Sequence, residues 1–147
     1  MNYEELKIDG NIIVAGADEN AIQAAELSAG IEFPLDYRSL LRFSDGCLLQ
    51  NATFVIFFSC GDGFHEKERL AFINNLMQNS EMFFIGRFAG EMFGYLRHSD
   101  DRRIYSYFEE TSEKKLIAND LSDFYRKYLV AKPKKRGILA ALFGGYK

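Results

Sequence analysis

Tryptophan is absent from this chain of 147 residues, and cysteine, histidine and proline occur only twice each. The scarcity of sulfur and imidazole removes most metal and nucleophilic chemistry at the outset. Cys47 and Cys60 lie thirteen positions apart, without CxxC spacing or an adjacent histidine, so neither a zinc knuckle nor a dithiol redox motif can be drawn. Both read as ordinary buried thiols. His65 sits in a Gly-Phe-His-Glu-Lys loop and His98 in an expected hairpin turn, positions of solvated residues rather than of a base or a ligand. Pairing Cys60 with His65 as nucleophile and base leaves no third group to orient the base. HExxH, GxSxG and GxGxxG are missing, and Gly61-Asp62-Gly63 lacks the Lys-Ser/Thr that a phosphate-binding loop needs. Catalytic residues, metal ligands and cofactors are therefore expected to be none.

Long apolar runs are missing too. No stretch approaches the ~20 apolar residues of a membrane span. The start, MNYEELKIDGNI, has neither a basic opening nor the apolar run of about 7 to 15 residues of a secretory signal. A cytoplasmic protein without integral membrane association is the expectation.

What is present is aromatic and acidic. Fourteen Phe and eight Tyr within 48% hydrophobic residues exclude disorder, and the length suits one domain with one core. The net charge of −3 hides an asymmetry: before Lys132 there are 13 Lys+Arg against 21 Asp+Glu, a net of −8, and the last sixteen residues add five bases and no acid. An acidic domain is a poor match for nucleic acid. It suits a basic protein partner, or solubility alone.

The organising stretch is Glu19 to Gly46, ENAIQAAELSAGIEFPLDYRSLLRFSDG. Ile22, Ala25 and Ala29 recur at helical spacing, with Asp18 placed as N-cap and Gly30 as C-terminal stop. A second helix opens at Pro34, turns Tyr37, Leu40 and Leu41 to one side, and closes at Asp45-Gly46. Asn11 to Val14 reads as a short edge strand. Thr53 to Phe58, apolar without alternation, reads as a strand buried on both faces. Glu66 to Gln78 reads as a helix with Leu70, Ile73, Leu76 and Met77 against the sheet. Three strands follow, Met82 to Arg87, Met92 to Arg97 and Arg103 to Glu109, with connections short enough for antiparallel hairpins and a turn at His98 to Asp101. In the third, Ile104, Ser106 and Phe108 share one face, and Tyr105 and Tyr107 the other. A short strand, Lys115 to Ala118, leads to a last helix capped by Asp120, with Leu121, Phe124, Tyr125 and Tyr128 inward. The resulting fold class is α+β, a mostly antiparallel sheet of about five to six strands flanked by about four helices, in one domain over residues 1–131.

The tail beyond, residues 132–147, joins Lys132-Pro133-Lys134-Lys135-Arg136 to the apolar Ile138, Leu139, Leu142 and Phe143. It could touch an anionic membrane surface, or dock on its own acidic domain or on a second copy, so a homodimer stands open.

Glu26, Gly30, Phe33-Pro34, Asp36-Tyr37, Leu40-Leu41 and Asp45-Gly46, then Phe84-Ile85-Gly86, Gly94-Tyr95, Leu116-Ile117-Ala118, Leu121, Phe124, Tyr128 and Leu129, fall in the order and spacing of the SUKH superfamily. The chain resembles that family over roughly residues 15–130. Asp45 stands where the family usually has Asn, and Arg87-Phe88-Ala89 replaces an often acidic, Gly-rich turn. The family includes Smi/Knr-type fungal cell-wall regulators and bacterial toxin-immunity proteins. The resemblance implies a non-catalytic protein-binding domain, foremost an immunity protein covering a cognate basic nuclease or deaminase toxin. The alternatives are an intracellular scaffold or regulator and a small-molecule-binding domain. Candidate partner-binding residues are the acids Asp100, Asp101, Glu109 and Glu110 and, between them, Tyr105 and Tyr107, with Arg102-Arg103 partly neutralising the patch.

Overall fold

In the computed structural model, residues 1–50, 54–61 and 66–130 are described. Thr53, loop residues Asp62, Gly63 and His65, and the tail from Lys132 lie outside them. Local signals at the amino-terminal helices act as their chemistry requires. The Asp18 carboxylate accepts the Ala21 N–H at 2.8 Å to start α1 (Glu19–Ala29), and Gly30 ends it in the left-handed region at φ 70°. Pro34 stands at the N-cap of α2 (Leu35–Phe43), one residue ahead of the first helical position rather than in it. The corner between the helices is tied by Glu26. One carboxylate oxygen accepts the Phe33 N–H at 2.7 Å and the other meets the Arg38 guanidinium, which also holds Glu19.

Seven strands among the described residues form one antiparallel sheet in chain order: β1 (Ile12–Ile13), β2 (Cys47–Leu49), β3 (Val55–Phe57), β4 (Met82–Phe88), β5 (Glu91–Leu96), β6 (Ile104–Phe108) and β7 (Glu113–Ala118). With four α-helices the class is α+β, as expected, and the strand beyond the expected six is β2. Its three residues are too few for an alternating pattern, and only the facing partners Cys47↔Phe57 and Leu49↔Val55 reveal it.

One face of the sheet is the core. Cys47, Leu49, Val55, Phe57, Phe93, Tyr95, Ile104 and Ser106 are buried on it. The α1–α2 corner sets Phe33 5.6 Å from Phe83, and α2 sets Tyr37 5.9 Å from Tyr95. The last helix, α4 (Leu121–Phe124), opens on the Asp120 cap and continues as a π-helical turn, Tyr125–Leu129. It stacks Phe124 on Phe93 at 4.8 Å. Such ring pairs contribute about 0.5–1.5 kcal/mol each beyond their burial.

The helix expected from Glu66 to Gln78 is divided. A 3₁₀ turn, Glu66–Glu68, is separated from α3 (Leu70–Met77) by Arg69, whose extended backbone bridges to Ser59. Leu70 and Ile73 are buried, but Leu76 is 69% exposed. At about 100° per residue, Leu76 lies about 60° beyond Ile73 and off the stripe, and Asn74 takes the inward place. The Asn74 amide donates to the Phe84 carbonyl at 2.9 Å, and its oxygen accepts the Phe84 N–H at 2.8 Å. Pairing of β3 with β4 covers only residues 86–88 of β4, so this side chain replaces a strand partner.

Asn74→Asp tests that role through pH. A carboxylate can accept from Phe84 N–H but repels the Phe84 and Leu70 carbonyls that Asn74 donates to. The folded state then favours the protonated acid and raises its pKa. Relative to the parent chain, the variant should be nearly neutral below about pH 4 and lose about 2 kcal/mol as pH rises toward 7. Urea midpoints measured at both pH values decide it, and an equal loss at each would refute it.

Candidate protein-binding site

The opposite face of β4 to β7 carries two rows of side chains in register: Phe84, Gly94, Tyr105 and Leu116, then Arg87, Met92, Tyr107 and Lys114. Phe84 is fully buried with its ring 5.3 Å from Tyr107. Met92, Tyr105 and Tyr107 are half-buried, and Leu116 is exposed. Strand alternation puts the tyrosines here, away from Ile104 and Ser106, as their spacing predicted. Phe108 shares the register of the buried set but is 51% exposed at the strand's end.

In a meander, alternate turns share an end of the sheet, so the β4–β5 and β6–β7 turns lie together and the β5–β6 loop lies opposite. Between the first two is a cleft of about 370 Å³, floored by Met92, Tyr107 and Phe108 and rimmed by Glu91, Glu109 and Glu110. The bases beside it are occupied. Arg87 pairs with Glu68 at 3.3 Å and stacks over Phe58, and Lys114 pairs with Glu81 at 2.8 Å. The three rim acids have no ion-pair partner among the described residues, which leaves a local charge of −3 over an aromatic floor.

The β4–β5 turn that carries this rim has Ala89 at φ 52° and Gly90 at φ 83°. Two positive φ values are the pattern of a two-residue hairpin turn in which Asn-Gly is preferred, so Ala89 is strained there. Ala89→Asn is expected to stabilise the chain by about 0.5–1 kcal/mol, read as a raised urea midpoint with unchanged slope.

At the far end, Asp101 is engaged internally. It accepts the Arg103 N–H at 2.9 Å, the Arg103 guanidinium at 2.8 Å and the Tyr105 hydroxyl at 3.0 Å. The Arg103 guanidinium chiefly holds its pKa down, from 3.8 to about 2. A depressed carboxylate adds stability that is full above its ordinary pKa and is lost as pH falls from about 4 toward 2. An NMR titration should find its midpoint near 2, and Arg103→Ala should return it toward 4. The six sequence-predicted residues are thus divided: Tyr107, Glu109 and Glu110 border the acidic cleft, while Asp100, Asp101 and Tyr105 belong to the β5–β6 side. Glu91, Met92 and Phe108 join the first group without having been singled out. The hairpin reading held that signal, because it already put the residue after Ala89-Gly90 at the same end as Glu109.

Burial drives both thiols, Cys47 and Cys60, up to about 12, with Asp45 adding to the effect at Cys60, so neither is ionised near neutrality. Among the described residues no group of three His, Cys, Asp or Glu is placed to hold a metal, and no helix is long and apolar enough to cross a membrane.

Over residues 16–127 the chain matches a family model described as SMI1 / KNR4 family (SUKH-1). The chain belongs to the SMI1/KNR4 (SUKH-1) family. No curated protein matches it significantly. Within this SUKH-1 chain, the departure at position 45 has a structural reason. Asp45 is buried, and both its oxygens accept backbone N–H groups, Cys60 at 2.7 Å and Gly61 at 3.2 Å, whereas an asparagine in this pose would set its NH2, a donor, against one of those N–H groups.

Proposed function

We propose that this SUKH-1 chain is a non-catalytic protein-binding domain, acting in the cytoplasm as an immunity protein that captures a cognate basic toxin, such as a nuclease or deaminase, and occludes its active face. The observation that supports this reading most is the cleft between the β4–β5 and β6–β7 turns. Glu91, Glu109 and Glu110 have no ion-pair partner among the described residues because Arg87 and Lys114 pair elsewhere, and Met92, Tyr107 and Phe108 offer apolar contact between them. Unpaired acids steer a basic partner into encounter, and rigid aromatic side chains hold it once water is excluded. Occlusion needs no reacting group on this chain.

The test is co-expression with each toxin domain encoded in the source genome. One toxin's lethality should be abolished by the parent chain and restored by the triple variant Glu91→Lys, Glu109→Lys, Glu110→Lys, with binding of the purified pair weakening as salt rises. Failure to protect against any of them overturns the reading and favours a scaffold of Smi/Knr type. Protection that the triple variant retains moves the binding surface away from the cleft.

A further inference from the structure

The most exposed large apolar side chains of the described residues lie away from the acidic cleft, on the outer side of the helix pair. Leu27 near the end of α1 is 86% exposed and Leu35 at the start of α2 is 71% exposed. They are not scattered singles. Both border one shallow groove of about 720 Å³ that runs between the helices past Ile31. Exposed apolar groups gathered at one groove mark an interaction surface.

The charges along this groove identify its occupant. Glu26 and Arg38 bind each other, Arg38 and Arg42 both bind Glu19, and so two acids and two bases close on themselves, while Glu32, also at the groove, has no ion-pair partner among the described residues. A partner selected by net charge gains little here. For a second copy of this chain the opposite holds. Residues 1–131 carry a net of −8, so two copies repel across most of their surfaces and approach most easily at this groove, where Glu26 and Glu32 are balanced by Arg38 and Arg42. Shape agrees with charge. The patch offers both knobs, Leu27 and Leu35, and a hole, the groove between them, which is what a two-fold interface requires because each surface must complement itself.

We propose that the α1–α2 outer face is a two-fold homodimer surface, with Leu27 and Leu35 of each copy seated in the groove of the other. The contact is small, so the dimer is weak and concentration-dependent, and it leaves the acidic cleft free.

Sedimentation equilibrium of the full chain at physiological ionic strength tests it, over roughly 5–500 µM. The expected result is a monomer–dimer equilibrium that Leu27→Asp or Leu35→Asp weakens at least about tenfold. Leu76→Asp, at an equally exposed leucine on α3, and Glu109→Lys should leave it unchanged. Both leucines are exposed, so unaltered far-ultraviolet circular dichroism of the variants is also expected. A monomer at every concentration overturns the proposal. So does a dimer indifferent to both leucines but lost on ending the chain at Val130, which would place the contact in the basic tail, or one lost with Glu109→Lys, which would place it in the cleft.

Discussion

Gly94→Ala should cost about 4 kcal/mol or more and leave little folded protein at 37 °C. A Cβ added at Gly94 would stand 2.0 Å from the Phe83 carbonyl oxygen and 2.8 Å from the Phe84 Cα, backbone atoms of the facing strand that no side-chain rotation can move. Strands β4 and β5 would have to part along the pairs Phe83↔Tyr95 and Phe84↔Gly94, opening the core face beneath Tyr95 and the aromatic row above. Overpacking a well-packed interior costs about 1–3 kcal/mol when side chains can yield, and more when only backbone can. Gly10→Ala is the control. Its φ is 94° but nothing lies within 4 Å of the new methyl, so only the conformational penalty of about 1 kcal/mol remains. Urea titration of the two variants separates crowding from backbone preference. A Gly94→Ala chain within 1 kcal/mol of the parent would mean the strands have room. Because Glu91 and Met92 lie on the same strand, the acidic cleft they line should be lost together with the fold.

Asp45→Ala should cost about 3 kcal/mol. It orphans the Cys60 and Gly61 N–H groups, each held by a carboxylate oxygen in a partly buried place, and hydrogen bonds to charged groups contribute about 1.5–3 kcal/mol apiece. The carboxylate ties the turn after α2 to the segment after β3, and the Asp45 N–H ties the same turn to the Ala15 carbonyl at 3.0 Å. Asp45→Asn keeps one acceptor oxygen and should cost about half as much. A second readout isolates the charge. Asp45 helps to raise the Cys60 thiol, so in either variant the pH dependence of Cys60 alkylation should shift to lower pH. An unchanged alkylation profile in Asp45→Ala would show that burial alone sets that thiol.

The helix ends and the meander were legible in the sequence because their causes are local. Asp18, Gly30, Asp120 and the short links between Met82 and Phe108 act within a few residues of the structure they specify. β2 escaped notice because three residues carry no period, and Leu76 was misplaced because an apolar residue beside a stripe looks like one within it. Asn74 was the converse. A polar residue in an apolar helix gives no sign that a strand edge will need both its donor and its acceptor.

The candidate site divides in the same way. Composition alone established an acidic, aromatic domain poor in cysteine and histidine, and spacing alone established the run of antiparallel hairpins from Met82 to Glu109. Which acids remain unpaired was decided by tertiary structure. Arg87 is satisfied by Glu68 and Lys114 by Glu81, residues that are distant along the chain and are brought together only when the 3₁₀ turn Glu66–Glu68 and the meander pack. Charge acts through space, whereas sequence patterns report neighbours along the chain. The acids were therefore visible as residues, but only the fold made Glu91, Glu109 and Glu110 into one rim.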